Sequence, residues 1–221
     1  MATTEEVERG QAIYTPFMLA AGYDLVVLRL SNPLVWRCPT SRLLEMYDEH
    51  VSANHLDVGV GTGYYLDRCR FPSSPRLALM DLNPHSLAHA ARRTARYRPE
   101  TYQRNVLEPI EVDAPKFDTV GMTYLLHCIP GAMEEKAVAF DHLRALVNPG
   151  GHIFGATLVQ GDDQGRVARR LMALYNRKGI FHNEGDGIDA LDAALAEAFP
   201  THTLEVAGMV ALFTAHTTPA T

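Results

Sequence analysis

From about Asn54 onward the chain alternates short apolar runs with helix-like stretches. That order builds a parallel sheet covered by helices, because parallel strands need long crossovers and helices supply them. The first run, His55-Leu56-Asp57-Val58-Gly59-Val60, enters Gly61-Thr62-Gly63. The second, Arg76-Leu77-Ala78-Leu79-Met80-Asp81, precedes Asn83-Pro84. Asn83 suits a helix N-cap and Pro84 a first turn, so Asp81 is expected at a strand's carboxyl end, before a helix through 86–93. Further strands are expected over 101–106, 117–123 and 152–159. Val138, Phe140, Leu143, Leu146 and Val147 predict one helix over 134–147, stopped by Asn148-Pro149-Gly150-Gly151.

Beyond Gln160 the pattern turns irregular up to Gly187, with one helix expected over 166–175. Ile188, Leu191, Leu195 and Phe199 predict another, ended by Pro200. Residues 203–215 form two strand-like stretches about Gly208, which predicts an antiparallel terminal hairpin. Before Asn54, the clusters Leu25 to Leu30 and Leu43, Leu44, Met46, Tyr47 predict two or three helices, with breaks at Pro33 and Pro39. The expected fold is therefore α/β: a three-layer, doubly wound, seven-stranded sheet whose last strand is antiparallel, preceded by an N-terminal helical cap.

Composition narrows the partners. Twenty Lys plus Arg against 26 Asp plus Glu leave a net charge of −6, which speaks against nucleic acid or an anionic membrane as partner. No apolar run approaches the ~18 residues of a membrane span. Cys38, Cys69 and Cys128 are odd in number and widely spaced, as expected of reduced thiols. The first ten residues are polar and acidic, unlike a secretory or transit segment, so a cytoplasmic location is expected.

The chemistry concentrates where strands end. Glycines at a strand-to-helix turn let backbone N–H groups approach a ligand that a Cβ would exclude. Gly59, Gly61 and Gly63 have the spacing GxGxG; a dinucleotide fingerprint would need glycine at position 64, which is Tyr64, and no Walker lysine follows. Asp81, at the next strand end, can accept hydrogen bonds from both hydroxyls of a ribose. Asn105, with the backbone N–H of Val106, can read an adenine edge. A nucleoside would touch all three places.

In this order the motifs resemble the class I S-adenosylmethionine-dependent methyltransferases, particularly their small-molecule branch, over roughly residues 54–160. His55 to Gly63 is similar to the family's glycine motif, Asp81 to its acidic ribose ligand, and Asn105-Val106 to its adenine position. Phe117 to His127 resembles the fourth-strand motif, and Leu146-Val147-Asn148-Pro149-Gly150-Gly151 the turn before strand five. Two departures stand out. Asn105 replaces a frequent Asp, and no Asn-Pro-Pro-Tyr follows strand four, unlike in enzymes acting on adenine or glutamine amides.

The resemblance implies S-adenosyl-L-methionine as cofactor and a small-molecule acceptor methylated at O, N or C, frequently in secondary metabolism. It implies cofactor contacts at Tyr14, Asp57, Gly59, Gly61, Gly63, Asp81, Leu82, Asn105, Val106 and Thr123, with Tyr14 as an aromatic lid. Tyr124 and His182 are expected at the substrate, and His127 as general base, with His182 the second choice. The 221 residues then read as one domain: cap 1–53, cofactor half 54–160, substrate-covering insertion 161–187, and terminal helix with hairpin 188–221. Trp36 and Arg37 could line a pocket, whereas Arg92, Arg93, Arg96 and Arg98 read as a solvated helix face. The apolar N-terminal helices could pack on the chain or across a homodimer. The same fold also serves enzymes that use this cofactor for cyclisation or decarboxylation, and non-catalytic subunits.

Overall fold

A computed structural model describes residues 31–161 and 165–219. Tyr14 and the expected helices before residue 31 lie outside the described residues. Helix α1 (Thr40–His50) leads into β1 (Asn54–Val58), α2 (Tyr64–Arg68), β2 (Arg76–Asp81), α3 (Pro84–Arg93), β3 (Glu100–Gln103) and β4 (Phe117–Thr123). Then follow α4 (Met133–Lys136), α5 (Val138–Arg144), β5 (Val147–Leu158), α6 (Arg166–Arg177), α7 (Ile188–Ala198), β6 (Thr201–Ala207) and β7 (Val210–His216). The seven strands form one sheet in the order β3-β2-β1-β4-β5-β7-β6. Strands β1 to β5 are parallel, and β7 runs antiparallel between β5 and β6.

Alternating residues of each strand feed two cores. Leu56, Val58, Ala78, Met80, Val120 and Met122 pack with Phe140, Leu143, Leu191 and Leu195 of α5 and α7. Leu77, Leu79, Phe154, Ala156 and Leu158 face the opposite way, onto Leu43 and Tyr47 of α1, Leu87 of α3 and Met172 of α6. The result is the expected three-layer arrangement. As the sequence predicts, Asn83 caps α3, its Oδ1 accepting from the backbone N–H groups of His85 and Ser86.

Local elements differ from expectation in three places. The expected third strand stops at Gln103, because the Asn105 carboxamide accepts the N–H of Leu107 and turns the chain away from the ladder. The single helix expected over 134–147 is two, since the buried stripe changes phase: Lys136 is fully buried while Val138 is 37% exposed. The turn expected at 148–151 falls within an irregular start of β5, where pairing jumps from Phe117–Val147 to Thr119–His152.

Candidate active site

The carboxyl ends of β1, β2 and β4, with the turn after β3, border one cleft, and its lining includes Asp57, the 59–63 loop, Asp81, Asn105, Thr123 and Tyr124. This is where doubly wound sheets bind ligands, since the crossovers diverge there.

The three glycines have different physical reasons. All have positive φ, at 71°, 50° and 69° for Gly59, Gly61 and Gly63, where an L side chain is strained. A Cβ on Gly63 would stand 3.1 Å from the Cα of Ala90, so this glycine lets the loop press against α3. A Cβ on Gly59 would meet Leu125 at 2.9 Å. A Cβ on Gly61 would meet nothing within 4 Å, so its bare backbone faces open space in the cleft. Arg93, expected on a solvated face, donates instead to the Thr62 carbonyl at 3.3 Å and thus props the loop from behind.

Asp81 is drawn into the same loop. Its Oδ1 accepts the Asn83 N–H at 2.8 Å, and the N–H groups of Val60 and Gly61 also point to it. Burial nevertheless outweighs these bonds and pushes its pKa up to about 6. Asp57 is held from the other side of β1: Tyr47 of α1 donates to its Oδ1 at 2.8 Å, and His55 stands 3.7 Å away. A Cβ on Gly121 would come within 2.7 Å of that oxygen, so β4 closes tightly over the carboxylate. Tyr47 is fully buried and its phenol is pushed well above its ordinary pKa, first by burial and then by Asp57.

Asn105 lines the cleft with its Oδ1 accepting from Leu107 and its Nδ2 donating to Glu108 at 3.1 Å. Leu82 and Val106 line it too. Tyr124 follows β4 in a left-handed conformation, φ 61°, held by its N–H on the Ala156 carbonyl at 2.7 Å and its hydroxyl on Asn32 at 3.1 Å. Strain of this kind persists only where surroundings over-determine it.

His127 and His182 stand apart from the cleft lining. The His127 ring is buried, accepts the Leu158 N–H on Nδ1 at 3.3 Å, and packs edge-on against Phe181 at 4.6 Å. Burial, with Lys136 nearby, lowers its pKa to about 3, so the imidazole is neutral. His182 is joined to it through the backbone, its N–H donating to the His127 carbonyl at 2.8 Å. Trp36 also lies off the lining, buried against Phe181, and Arg37 is exposed. Tyr47, Asn32 and Arg93 were missed as site-supporting groups. Only α1's apolar face hinted at Tyr47, and that hint said core.

A methyltransferase domain family matches residues 56–153. Over 97% of this chain and 94% of its own length, the demethylluteothin O-methyltransferase of Streptomyces thioluteus is 44% identical. The chain belongs to the class I S-adenosylmethionine-dependent methyltransferases. The physcion biosynthesis cluster O-methyltransferase of Aspergillus chevalieri is 39% identical, over 94% of this methyltransferase and 95% of its own chain. In fold, the DhpI–SAH complex aligns over 99% of this methyltransferase and 100% of its own chain with a TM-score of 0.72 at 14% identity. Among the functions this fold can carry, these relatives select methyl transfer to small molecules, with S-adenosylmethionine as the methyl donor. The open space over Gly61 and the carboxylate of Asp81 on one cleft suit the methyltransferase to that cofactor.

Proposed function

We propose that this enzyme methylates a hydroxyl oxygen of a small conjugated acceptor, an enol or phenol, within specialised metabolism. Full-length similarity to two O-methyltransferases carries this reading. The state of His127 fits it. An imidazole of pKa about 3 is a poor proton acceptor, so the hydroxyl that suits this site is one that ionises near neutrality by itself.

The bound cofactor supplies an electrophilic sulfonium methyl. On the chain's side, Asp81 accepts from the ribose hydroxyls, the 59–63 backbone lies along the cofactor, and Asn105 with Val106 meets the adenine edge. Leu82 adds an apolar contact beside Asp81. Asp57, fixed by Tyr47, orients the glycine loop and lies near the cofactor's amino group. Thr123 and Tyr124 border the point of transfer. The protein's contribution is alignment and exclusion of water. We therefore assign His127 and His182 to the wall behind the acceptor, in place of the general-base role expected for His127. The three cysteines, none of them in a disulfide, support the cytoplasmic reading, with Cys38 and Cys69 buried and pushed to pKa values of about 11 and about 12.

The test is methyl-labelled S-adenosylmethionine with 4-hydroxy-6-methyl-2-pyrone, 1-naphthol and 1-naphthylamine as acceptors. Label on oxygen of the pyrone is expected, and less on the naphthol, whose hydroxyl stays protonated near neutrality. Label only on nitrogen or carbon would overturn the reading.

A further inference from the structure

Outside the cleft, the described residues include a fully buried ion pair. The Lys136 ammonium, at the end of α4, donates to Asp186 Oδ2 at 2.6 Å and to the His182 carbonyl at 2.7 Å. Their side chains are 0% and 1% exposed, and Asp186 Oδ1 has no partner. Burying two charges with an oxygen left unmatched is unfavourable compared with an apolar pair of the same volume, so stability alone does not account for it.

Its position does. Lys136 follows the 124–130 segment, five of whose residues line the cleft, while Asp186 and His182 belong to the insertion after β5. The insertion meets that segment where the His182 N–H reaches the His127 carbonyl and where Phe181 packs on the His127 ring. Asn183 continues the tie, donating to the Leu158 carbonyl at 3.2 Å. On the other side of the cleft, Gly61 and Asn105 follow β1 and β3, Asp81 ends β2, and none of the three is hydrogen-bonded to the pair among the described residues. We propose that Lys136 and Asp186 are positioning residues for methyl transfer: their ion pair clamps the insertion onto the 124–130 segment and so shapes the acceptor side of the cleft while leaving the cofactor side untouched. This rests on the acceptor occupying the β4–β5 side, as proposed above.

The test compares wild type with Asp186→Asn and with the double variant Lys136→Met/Asp186→Leu, which removes the clamp without stranding a buried charge. Trp36 is the single tryptophan and packs on Phe181 at 6.2 Å, so its emission reports on the insertion without needing an acceptor. Both variants are expected to bind S-adenosylhomocysteine within about twofold of wild type, while amide exchange at 179–187 accelerates roughly tenfold or more and Trp36 emission moves to the red. The KM for 4-hydroxy-6-methyl-2-pyrone is expected to rise roughly tenfold. Wild-type exchange at His182 and Asn183 in the folded double variant would overturn the clamp. So would a loss of S-adenosylhomocysteine affinity as large as the loss of acceptor affinity, which marks general structural support. If wild type fails on the pyrone and on every hydroxyl acceptor, the acceptor class falls, while the exchange and fluorescence results still decide whether the clamp exists.

Discussion

On the β1–β3 side of the cleft, the groups that face a ligand are backbone atoms and a carboxylate gripped by backbone N–H groups. On the β4–β5 side Tyr124 borders the cleft with its hydroxyl on the Asn32 side chain, and behind it long-range ties fix the wall: the His127 ring rests on the Leu158 N–H and the Phe181 ring, and the His182 carbonyl on the Lys136 ammonium. A cofactor shared by a whole family can be held by strand-end geometry, which varies little. An acceptor that differs from enzyme to enzyme calls for a wall that can be rebuilt one residue at a time. The two sides can therefore be perturbed separately, and variants should divide accordingly.

The largest effect is expected from Asp81→Ala, which removes charged acceptors from the ribose position. S-adenosylhomocysteine affinity should fall roughly 100-fold by calorimetry, with the fold intact. Next is Gly63→Ala, where positive φ and the contact with Ala90 combine to cost about 2 to 3 kcal/mol of stability in denaturant unfolding. Gly61→Ala reverses that balance: its Cβ meets open space, so stability falls by about 1 kcal/mol while cofactor affinity drops roughly tenfold. Equal losses of stability in the two glycine variants would erase the distinction drawn between them. Tyr124→Phe, which breaks the bond to Asn32, should raise acceptor KM roughly fivefold and leave cofactor affinity unchanged. A matching change in cofactor affinity would show that the two sides are one.

Two further effects come from pH. With Asp81 as the proposed ribose acceptor, which accepts best when ionised, cofactor affinity should be flat above its pKa of about 6 and weaken as pH falls below it, by no more than about tenfold per unit. Asp81→Asn should remove that dependence. Stability has another source: burial and the neighbouring histidines His50, His216 and His55 lower the pKa of His152 from 6.5 to about 4. The unfolded chain then takes up the proton first, and stability should be lost as pH falls from about 6.5 towards 4. Thermal unfolding against pH, with His152→Gln as control, reads this directly.

The same division decides what could be read in advance. The β1–β3 side was legible because positive φ calls for glycine and a strand end calls for a short polar acceptor, both visible as residue types at fixed spacing. The α/β alternation and the terminal hairpin were legible for similar reasons. The β4–β5 side was hidden because its ties join residues 92 apart, as in Tyr124 with Asn32, or 50 apart, as in Lys136 with Asp186. Nothing local marks such pairs. Residues 134–147 were read as one helix for a related reason: an apolar stripe predicts which face is buried only while no buried charge, here Lys136, shares it.

The hairpin has a consequence for how the chain is made. β5 (Val147–Leu158) receives its second neighbour only when β7 (Val210–His216) is complete, and the hairpin turn holds Trp36 through the Met209 N–H on its carbonyl at 2.8 Å. Until the ribosome releases those last residues, β5 presents a long apolar edge with unpaired backbone groups, the arrangement most prone to join another chain. A product that stops before residue 201 is therefore expected to aggregate even though its whole glycine loop and Asp81 are present. The final strand, far from any chemistry, is what makes the rest of the molecule safe to synthesise.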